Sequence, residues 1–140
     1  MWHRYIGFWI VLAALLAGCG GEAAVSPVSA SPPNALAATA WTAITQRDEM
    51  ALTRMFDSSV ERLLAGNYAG SAVDSYGRMQ SELGTVTSST QEPITSRADV
   101  TIVPYLVSYE HGTSRWQFLL VQNQGDWKLL KIEREILTRP

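Results

Sequence analysis

The spacing of apolar residues changes once along this chain of 140 residues, at Gly84. Before Gly84, apolar side chains recur every three or four residues, most clearly over 72–83, which is the period of an amphipathic helix. After Gly84, they alternate with polar residues, which is the period of a β-strand. A chain with helices first and hairpin-linked strands afterwards is predicted to be α+β, with N-terminal helices packed on a curved antiparallel sheet.

Turn and cap residues divide the helical part. Pro32-Pro33-Asn34 opens a helix that is predicted to run through about Gln46, since prolines are tolerated in a first turn. Asp48 is placed to cap a second short helix. A third short run is predicted to break at Gly66-Asn67, and Ser71 is predicted to cap a last helix that ends at Gly84.

Four strands are predicted, over 85–92, 98–110, 113–123 and 127–137. His111-Gly112 and the Gln124-Gly125-Asp126 segment are predicted to form the turns that connect the last three strands. Pro104 lies in the middle of the second strand, where it removes one backbone donor. It therefore predicts an edge strand or a bulge.

The N-terminal residues have the three-part pattern of a secretory signal. Arg4 precedes an apolar run from Ile6 to Ala17, which is shorter than the roughly 20 residues that a membrane-spanning helix needs. The residues Leu16-Ala17-Gly18-Cys19 resemble the lipobox of bacterial lipoproteins. The resemblance implies cleavage between Gly18 and Cys19 and a lipid anchor of fatty acids such as palmitate on Cys19.

This resemblance also implies an address. Gly20 stands where an Asp would resemble the inner-membrane retention signal, so in a Gram-negative cell the protein is expected on the outer membrane, facing the periplasm. Residues 1–18 are thus predicted to be a signal peptide. Residues 19–34, rich in Gly, Ala, Ser and Pro, are predicted to be a flexible tether, and residues 35–140 a single domain.

Composition excludes several classes of function. Cys19 is the only cysteine, so a disulfide framework is excluded, and one cysteine with two histidines does not supply a usual zinc site. The formal net charge of −2 lacks the basic excess of an electrostatic nucleic-acid binder. We expect no metal and no cofactor.

Short stretches of the domain resemble the nuclear-transport-factor-2-like (NTF2-like) superfamily, the cone-shaped α+β fold of the cystatin-like type. The matching stretches are residues 41–48, Arg54-Met55-Phe56, 83–88 and 124–129. The stretch 83–88 is similar to secreted bacterial members. The resemblance implies a cone-shaped domain, and many members of the superfamily form dimers. Because only about four strands are evident here, a reduced or shallow cone is expected.

Catalytic residues are scarce. His111 lies at a predicted hairpin tip, where a solvated turn residue is expected rather than a base. Most carboxylates are interpreted as cap or turn residues, among them Asp57. Asp99 is the one candidate base, beside Tyr105 or Tyr109 in a cone. No catalytic motif of known spacing is present, so an enzyme is not expected.

Eight large aromatic residues have three possible places: they form a solid core, they line a pocket for an apolar ligand, or they lie on a sheet face. They are Trp41, Phe56, Tyr76, Tyr105, Tyr109, Trp116, Phe118 and Trp127. Three hypotheses for function stay open. The first is a binding or protein-interaction module that uses the open sheet face, as a homodimer or with a protein partner. The second is a carrier of a small apolar ligand in the cone, and the third is an enzyme that uses Asp99.

Overall fold

The computed structural model describes residues 32–140, which form three helices and five strands. The predicted signal peptide, the lipidation site at Cys19 and nearly all of the predicted tether lie outside the described residues. The elements are α1 (Pro33–Thr45), α2 (Glu49–Arg54), α3 (Arg62–Leu83), β1 (Val86–Gln91), β2 (Thr95–Arg97), β3 (Val100–Tyr109), β4 (Gly112–Asn123) and β5 (Asp126–Thr138). Among residues 32–140, no helix has the length and apolarity to cross a membrane.

The first two helices follow their sequence signals. Helix α1 begins with Pro33 in its first turn and buries Trp41 and Ile44. Helix α2 is capped by Asp48, whose carboxylate accepts a hydrogen bond of 2.9 Å from the backbone N–H of Ala51. The bond satisfies one of the free N–H groups of the first turn, so the predicted cap is confirmed.

Helix α3 is continuous, and the predicted break at Gly66-Asn67 is wrong. Gly66 costs the helix about 1 kcal/mol relative to Ala. A buried stripe that includes Ala65 and Tyr76 spans the whole helix, and packing of this stripe offsets that cost. Ser71, predicted as an N-cap, lies in mid-helix instead. The helix ends at Leu83, and Gly84 follows with a φ of 86°, as expected for a terminating glycine.

The strands form one antiparallel sheet in the order β1-β3-β4-β5, and β2 also pairs with β3. The sheet therefore has five strands rather than about four, because the short segment Thr95–Arg97 adds a strand that the sequence pattern did not predict. β1 and β2 pair with successive halves of β3 and occupy one side of it. The two tight turns lie at Glu110–His111, one residue earlier than predicted, and at Gln124–Gly125.

Pro104 lies in a central strand, so its predicted placement on an edge strand is wrong, and the β3–β4 register runs past it without a bulge. Its carbonyl accepts a hydrogen bond of 2.9 Å from the N–H of Glu92. Because N and O of one residue point to the same side of a strand, the missing N–H faces the interval between β1 and β2. The hydrogen-bond ladder between β3 and its neighbours β1 and β2 is interrupted there, so the missing N–H of the proline costs the sheet little stability.

The sheet has an inner face, which packs against the helices, and an outer face, which does not. The inner face carries the buried side chains of β3, β4 and β5, such as Val103, Phe118 and Leu129, which join those of the helices in one core. Along the chain, the residues of this core range from Ala37 to Ile132. Residues 32–140 therefore contain the single core that an independently folding domain needs.

Candidate functional site

Aromatic rings fill the space between the helices and the inner sheet face. Trp41 contacts three other rings, with centroids 5.4 Å from Trp116, 5.6 Å from Tyr76 and 6.2 Å from Tyr105. Tyr105 in turn meets Phe118 edge to face at 5.6 Å. All five are at most 9% exposed. Rings at such distances pack directly against one another, so these five aromatic side chains form part of a core.

A buried chain of hydrogen bonds completes this core. The indole N–H of Trp116 donates to Ser114 Oγ at 3.0 Å, and Ser114 Oγ donates to the hydroxyl of Tyr109 at 3.2 Å. The Tyr109 hydroxyl donates to Met79 Sδ at 3.6 Å. Within residues 32–140, no buried side-chain nitrogen or oxygen lacks a partner. The buried polar groups of the core thus find their hydrogen-bond partners within the protein.

The buried tyrosines are poor acids in this setting. Burial raises the pKa of Tyr76, Tyr105 and Tyr109 above the ordinary value of 10.0. Desolvation disfavours the phenolate, so all three stay protonated at neutral pH. The Tyr109 hydroxyl acts here as a neutral hydrogen-bonding group.

The remaining two aromatic residues lie at the border of the core. Phe56 is buried against Tyr68, with centroids 5.9 Å apart, and one side of it lines a groove of about 530 Å³ between α2 and the start of α3. Trp127 is partly buried and lines a smaller groove of about 260 Å³ beside Leu36. Of the eight aromatic residues in the predicted set, seven thus belong to the core, Phe56 at its edge among them, and Trp127 packs against it from outside.

The structure does not bring Asp99 together with the tyrosines that were proposed to work beside it. Asp99 is exposed in the turn between β2 and β3, whereas Tyr109 is the last residue of β3. Ten residues of extended strand separate two such positions by roughly 33 Å. Tyr105 is closer along the strand but points into the core. His111 is exposed in the β3–β4 turn, as predicted.

Asp57 is the buried carboxylate, and it has a structural role. Its Oδ1 accepts from the backbone N–H of Ser59 and its Oδ2 from the side-chain amide of Asn123, both at 2.9 Å. These donors, first of all the Ser59 N–H, lower the pKa of Asp57 below the ordinary 3.8. Through its hydrogen bonds to Ser59 and Asn123, the charged carboxylate links the loop after α2 to the residue before the β4–β5 turn. Among residues 32–140, no three His, Cys, Asp or Glu side chains are grouped to hold a metal ion.

The outer sheet face carries an apolar row that no helix covers. We define the outer apolar row as Val100, Ile102, Pro104, Leu106, Leu119 and Val121. Pairing across β3 and β4 places Val100 opposite Val121 and Ile102 opposite Leu119, whereas Pro104 and Leu106 stand opposite Gln117 and Arg115. Except for Pro104 they are partly exposed. A contiguous apolar surface of this kind is typical of a binding face.

Charged side chains border the outer apolar row. Arg115 donates to both carboxylate oxygens of Glu92, at 2.8 and 3.2 Å, and its guanidinium lies 3.6 Å from Glu135. Lys131 pairs with Glu133 at 2.7 Å. A shallow groove of about 500 Å³ on β4 and β5 is lined by several of these residues together with Gln117, namely Arg115, Gln117, Lys131, Glu133 and Glu135. Arg115 and Glu92 are far apart in sequence, and only the alternation within β4, which puts Arg115 on the outer face, was a signal in the sequence.

Comparison with known proteins supports the architecture. No protein-family model and no curated protein matches the chain. A solved structure from Campylobacter jejuni, which carries the provisional name NTF2-like transpeptidase, matches with a TM-score of 0.59 and 16% sequence identity. The match covers 71% of this chain and 97% of that one. Together with the helices packed on an antiparallel sheet, it establishes that residues 32–140 have the NTF2-like fold.

Proposed function

We propose that this domain is a non-catalytic binding module that associates through the outer apolar row, with a second copy of the chain as its partner, and is held at the bacterial membrane by lipid on Cys19. The observation that carries the proposal is the contrast between the two sheet faces. The inner face is filled by the aromatic core, whereas the outer face leaves five apolar side chains of the row partly exposed.

The energetics favour covering this row. Full burial of a Val, Leu or Ile side chain gives about 1.5–3 kcal/mol, so each partly exposed member of the row gives roughly 0.5 kcal/mol when a partner covers it. In a pair with twofold symmetry both copies contribute the same row, and the gain is doubled. Association must still offset the loss of rotational and translational freedom, so we expect a reversible dimer rather than a permanent one.

The charges around the row suit self-association. The border contains both signs, with Arg115 and Lys131 beside Glu92, Glu133 and Glu135. A surface with alternating signs can complement itself across a twofold axis, whereas a surface of one sign repels its copy. The mixed border therefore favours a second copy over a strongly charged partner such as nucleic acid.

The anchor follows from the resemblance of Leu16-Ala17-Gly18-Cys19 to a lipobox. Two or three acyl chains hold a protein at a membrane far more firmly than one chain does. Tethering also confines the domains to a surface, which raises their local concentration and helps a weak dimer to form. In this role the lipid supplies the location and the outer sheet face supplies the contact.

The test compares two Lys substitutions by sedimentation velocity on residues 23–140. Leu119→Lys places a charge in the centre of the outer apolar row and is expected to weaken dimerisation at least tenfold. Leu63→Lys is the matched control, because Leu63 is 77% exposed on α3 and away from the sheet. It should dimerise as the unmodified protein does.

Far-UV circular dichroism should show that both variants keep their fold, since neither Leu is buried. The proposal fails if the unmodified protein stays monomeric at hundreds of micromolar, or if both substitutions affect dimerisation equally. A small molecule that is retained by the native monomer and leaves on unfolding would support the carrier hypothesis instead.

A further inference from the structure

A further groove lies between α3 and β5, next to the groove on β4 and β5, with which it shares Arg134 and Glu135. It has a volume of about 410 Å³. Ser75 and Arg78 line it from α3, and Arg134 and Arg139 line it from β5 and the residues that follow. Two carboxylates, Glu82 and Glu135, also line it.

Arg134 lines this groove from β5 and is half-buried. Its Nη2 donates to the carbonyl oxygen of Ser71 at 3.1 Å and also to Ser71 Oγ. These bonds fix the guanidinium in place. Burial, and to a smaller extent the positive charge of Arg78, lower the pKa of Arg134, though an arginine remains charged at neutral pH.

The carboxylates of the groove are engaged by other arginines. Glu82 lies 3.9 Å from Arg139, and Glu135 lies 3.6 Å from Arg115 on the outer face. Among the described residues, neither Arg78 nor Arg134 has a carboxylate within 4.0 Å. Two neighbouring guanidinium groups therefore leave a local excess of positive charge.

Hydroxyl groups stand beside both guanidinium groups. Arg78 Nη2 donates to Ser75 Oγ at 3.0 Å, as Arg134 does to Ser71. A serine hydroxyl that accepts from an arginine still has its own proton to donate. Two planar guanidinium groups with such a donor match the several acceptor oxygens of a tetrahedral oxyanion.

We propose that the groove between α3 and β5 binds a phosphoryl group, with Arg78 and Arg134 donating to its oxygens and the Ser75 hydroxyl as a third donor. The groove is larger than a single phosphate, so it accommodates a phosphate ester. The ester is either a soluble molecule or the headgroup of an anionic phospholipid. This inference does not depend on the outer apolar row.

The primary experiment titrates residues 23–140 with inorganic phosphate and follows backbone amide shifts by NMR, against sodium chloride of equal ionic strength. Phosphate is expected to produce saturable shifts in α3 and β5. Arg78→Gln removes an exposed guanidinium with little risk to folding and should weaken binding roughly tenfold, the effect of losing a hydrogen bond to a charged group. Arg134→Lys keeps the positive charge but loses the planar set of guanidinium N–H donors, so it should weaken phosphate binding as well.

Arg97→Gln is the matched control, because Arg97 is exposed on β2 and does not line the groove. It should bind phosphate as the unmodified protein does. The proposal is overturned if phosphate and chloride give the same shifts, or if Arg78→Gln and Arg97→Gln bind phosphate equally well.

Flotation with vesicles identifies the source of the phosphoryl group. If the unmodified protein floats with phosphatidylglycerol vesicles but not with phosphatidylcholine vesicles, and Arg78→Gln does not, then the ligand is a lipid headgroup. If phosphate binds saturably and no variant floats, then the ligand is a soluble phosphate ester. Both results require the saturable binding of the primary experiment.

Discussion

Replacement of Trp116 by Ala tests whether the inner side of the sheet is a solid core or a ligand pocket. Trp116 is fully buried, its ring lies 5.4 Å from that of Trp41, and its indole N–H donates to Ser114. Truncation removes the ring contacts, leaves a cavity and deprives Ser114 of a donor. We expect a loss of about 3–5 kcal/mol in the free energy of unfolding, of which the hydrogen bond accounts for about 1 kcal/mol.

The assay is urea unfolding followed by far-UV circular dichroism on residues 23–140. A domain of this kind has about 5–15 kcal/mol of stability, so Trp116→Ala should fold but unfold at much lower urea. Trp116→Phe retains most of the ring and keeps the measurement within range if the Ala variant is too unstable. Trp127→Ala is the control, because this side chain is only partly buried at a border groove, and it should cost about 1–2 kcal/mol.

Added indole distinguishes the two interpretations. The cavity of Trp116→Ala has the size of the indole that was removed and borders the Trp41 ring, so it should bind indole. Indole at ten times its dissociation constant should restore about 1.4 kcal/mol. The unmodified protein should gain nothing. The reasoning is refuted if Trp116→Ala costs less than about 1 kcal/mol, or if indole stabilises the unmodified protein as strongly.

Three further predictions concern the backbone, acid stability and the anchor. Gly112→Ala should lower the free energy of unfolding, because a Cβ there would lie 2.5 Å from the Thr138 carbonyl oxygen. A Cβ at Gly66 would meet nothing within 4 Å, so Gly66→Ala should raise the free energy of unfolding by about 0.5–1 kcal/mol. Urea unfolding of the two variants measures both effects. Asp57→Asn should destabilise the domain more at pH 7 than at pH 3. The lowered pKa means that the Asp57 carboxylate contributes stability above its ordinary pKa, and this is lost as the pH falls through the folded value; unfolding across that range measures it. Cys19→Ala should release the protein from the membrane fraction in cells, and unchanged recovery with membranes would contradict the lipid anchor.

Periodicity predicted much of the fold because burial of one face imposes it. The alternation over 98–110 placed Val103, Tyr105 and Val107 on one side of the strand, and all three are buried in the core. Asp48 was recognisable as a cap because its bond to Ala51 is local in sequence. Signals that act over a few residues are present in the sequence itself.

The errors arose where tertiary contacts decide the outcome. Gly66 weakens a helix locally, but α3 continues because its other residues pack on the core. Pro104 is tolerated in a central strand because β1 and β2 are interrupted opposite it, which only the assembled sheet shows. The same limit applies to the sites. The pairing of Arg115 with Glu92, and the meeting of Arg78 with Arg134, join residues that are far apart along the chain.

Native mass spectrometry of residues 23–140, run gently and again after unfolding, tests the central claim most directly. The account predicts a dimer from which no apolar small molecule is lost on unfolding, because the outer apolar row is the binding face and the inner side is solid. A monomer that carries an apolar small molecule and releases it on unfolding would contradict the account. It would show that the rings around Trp41 enclose a ligand.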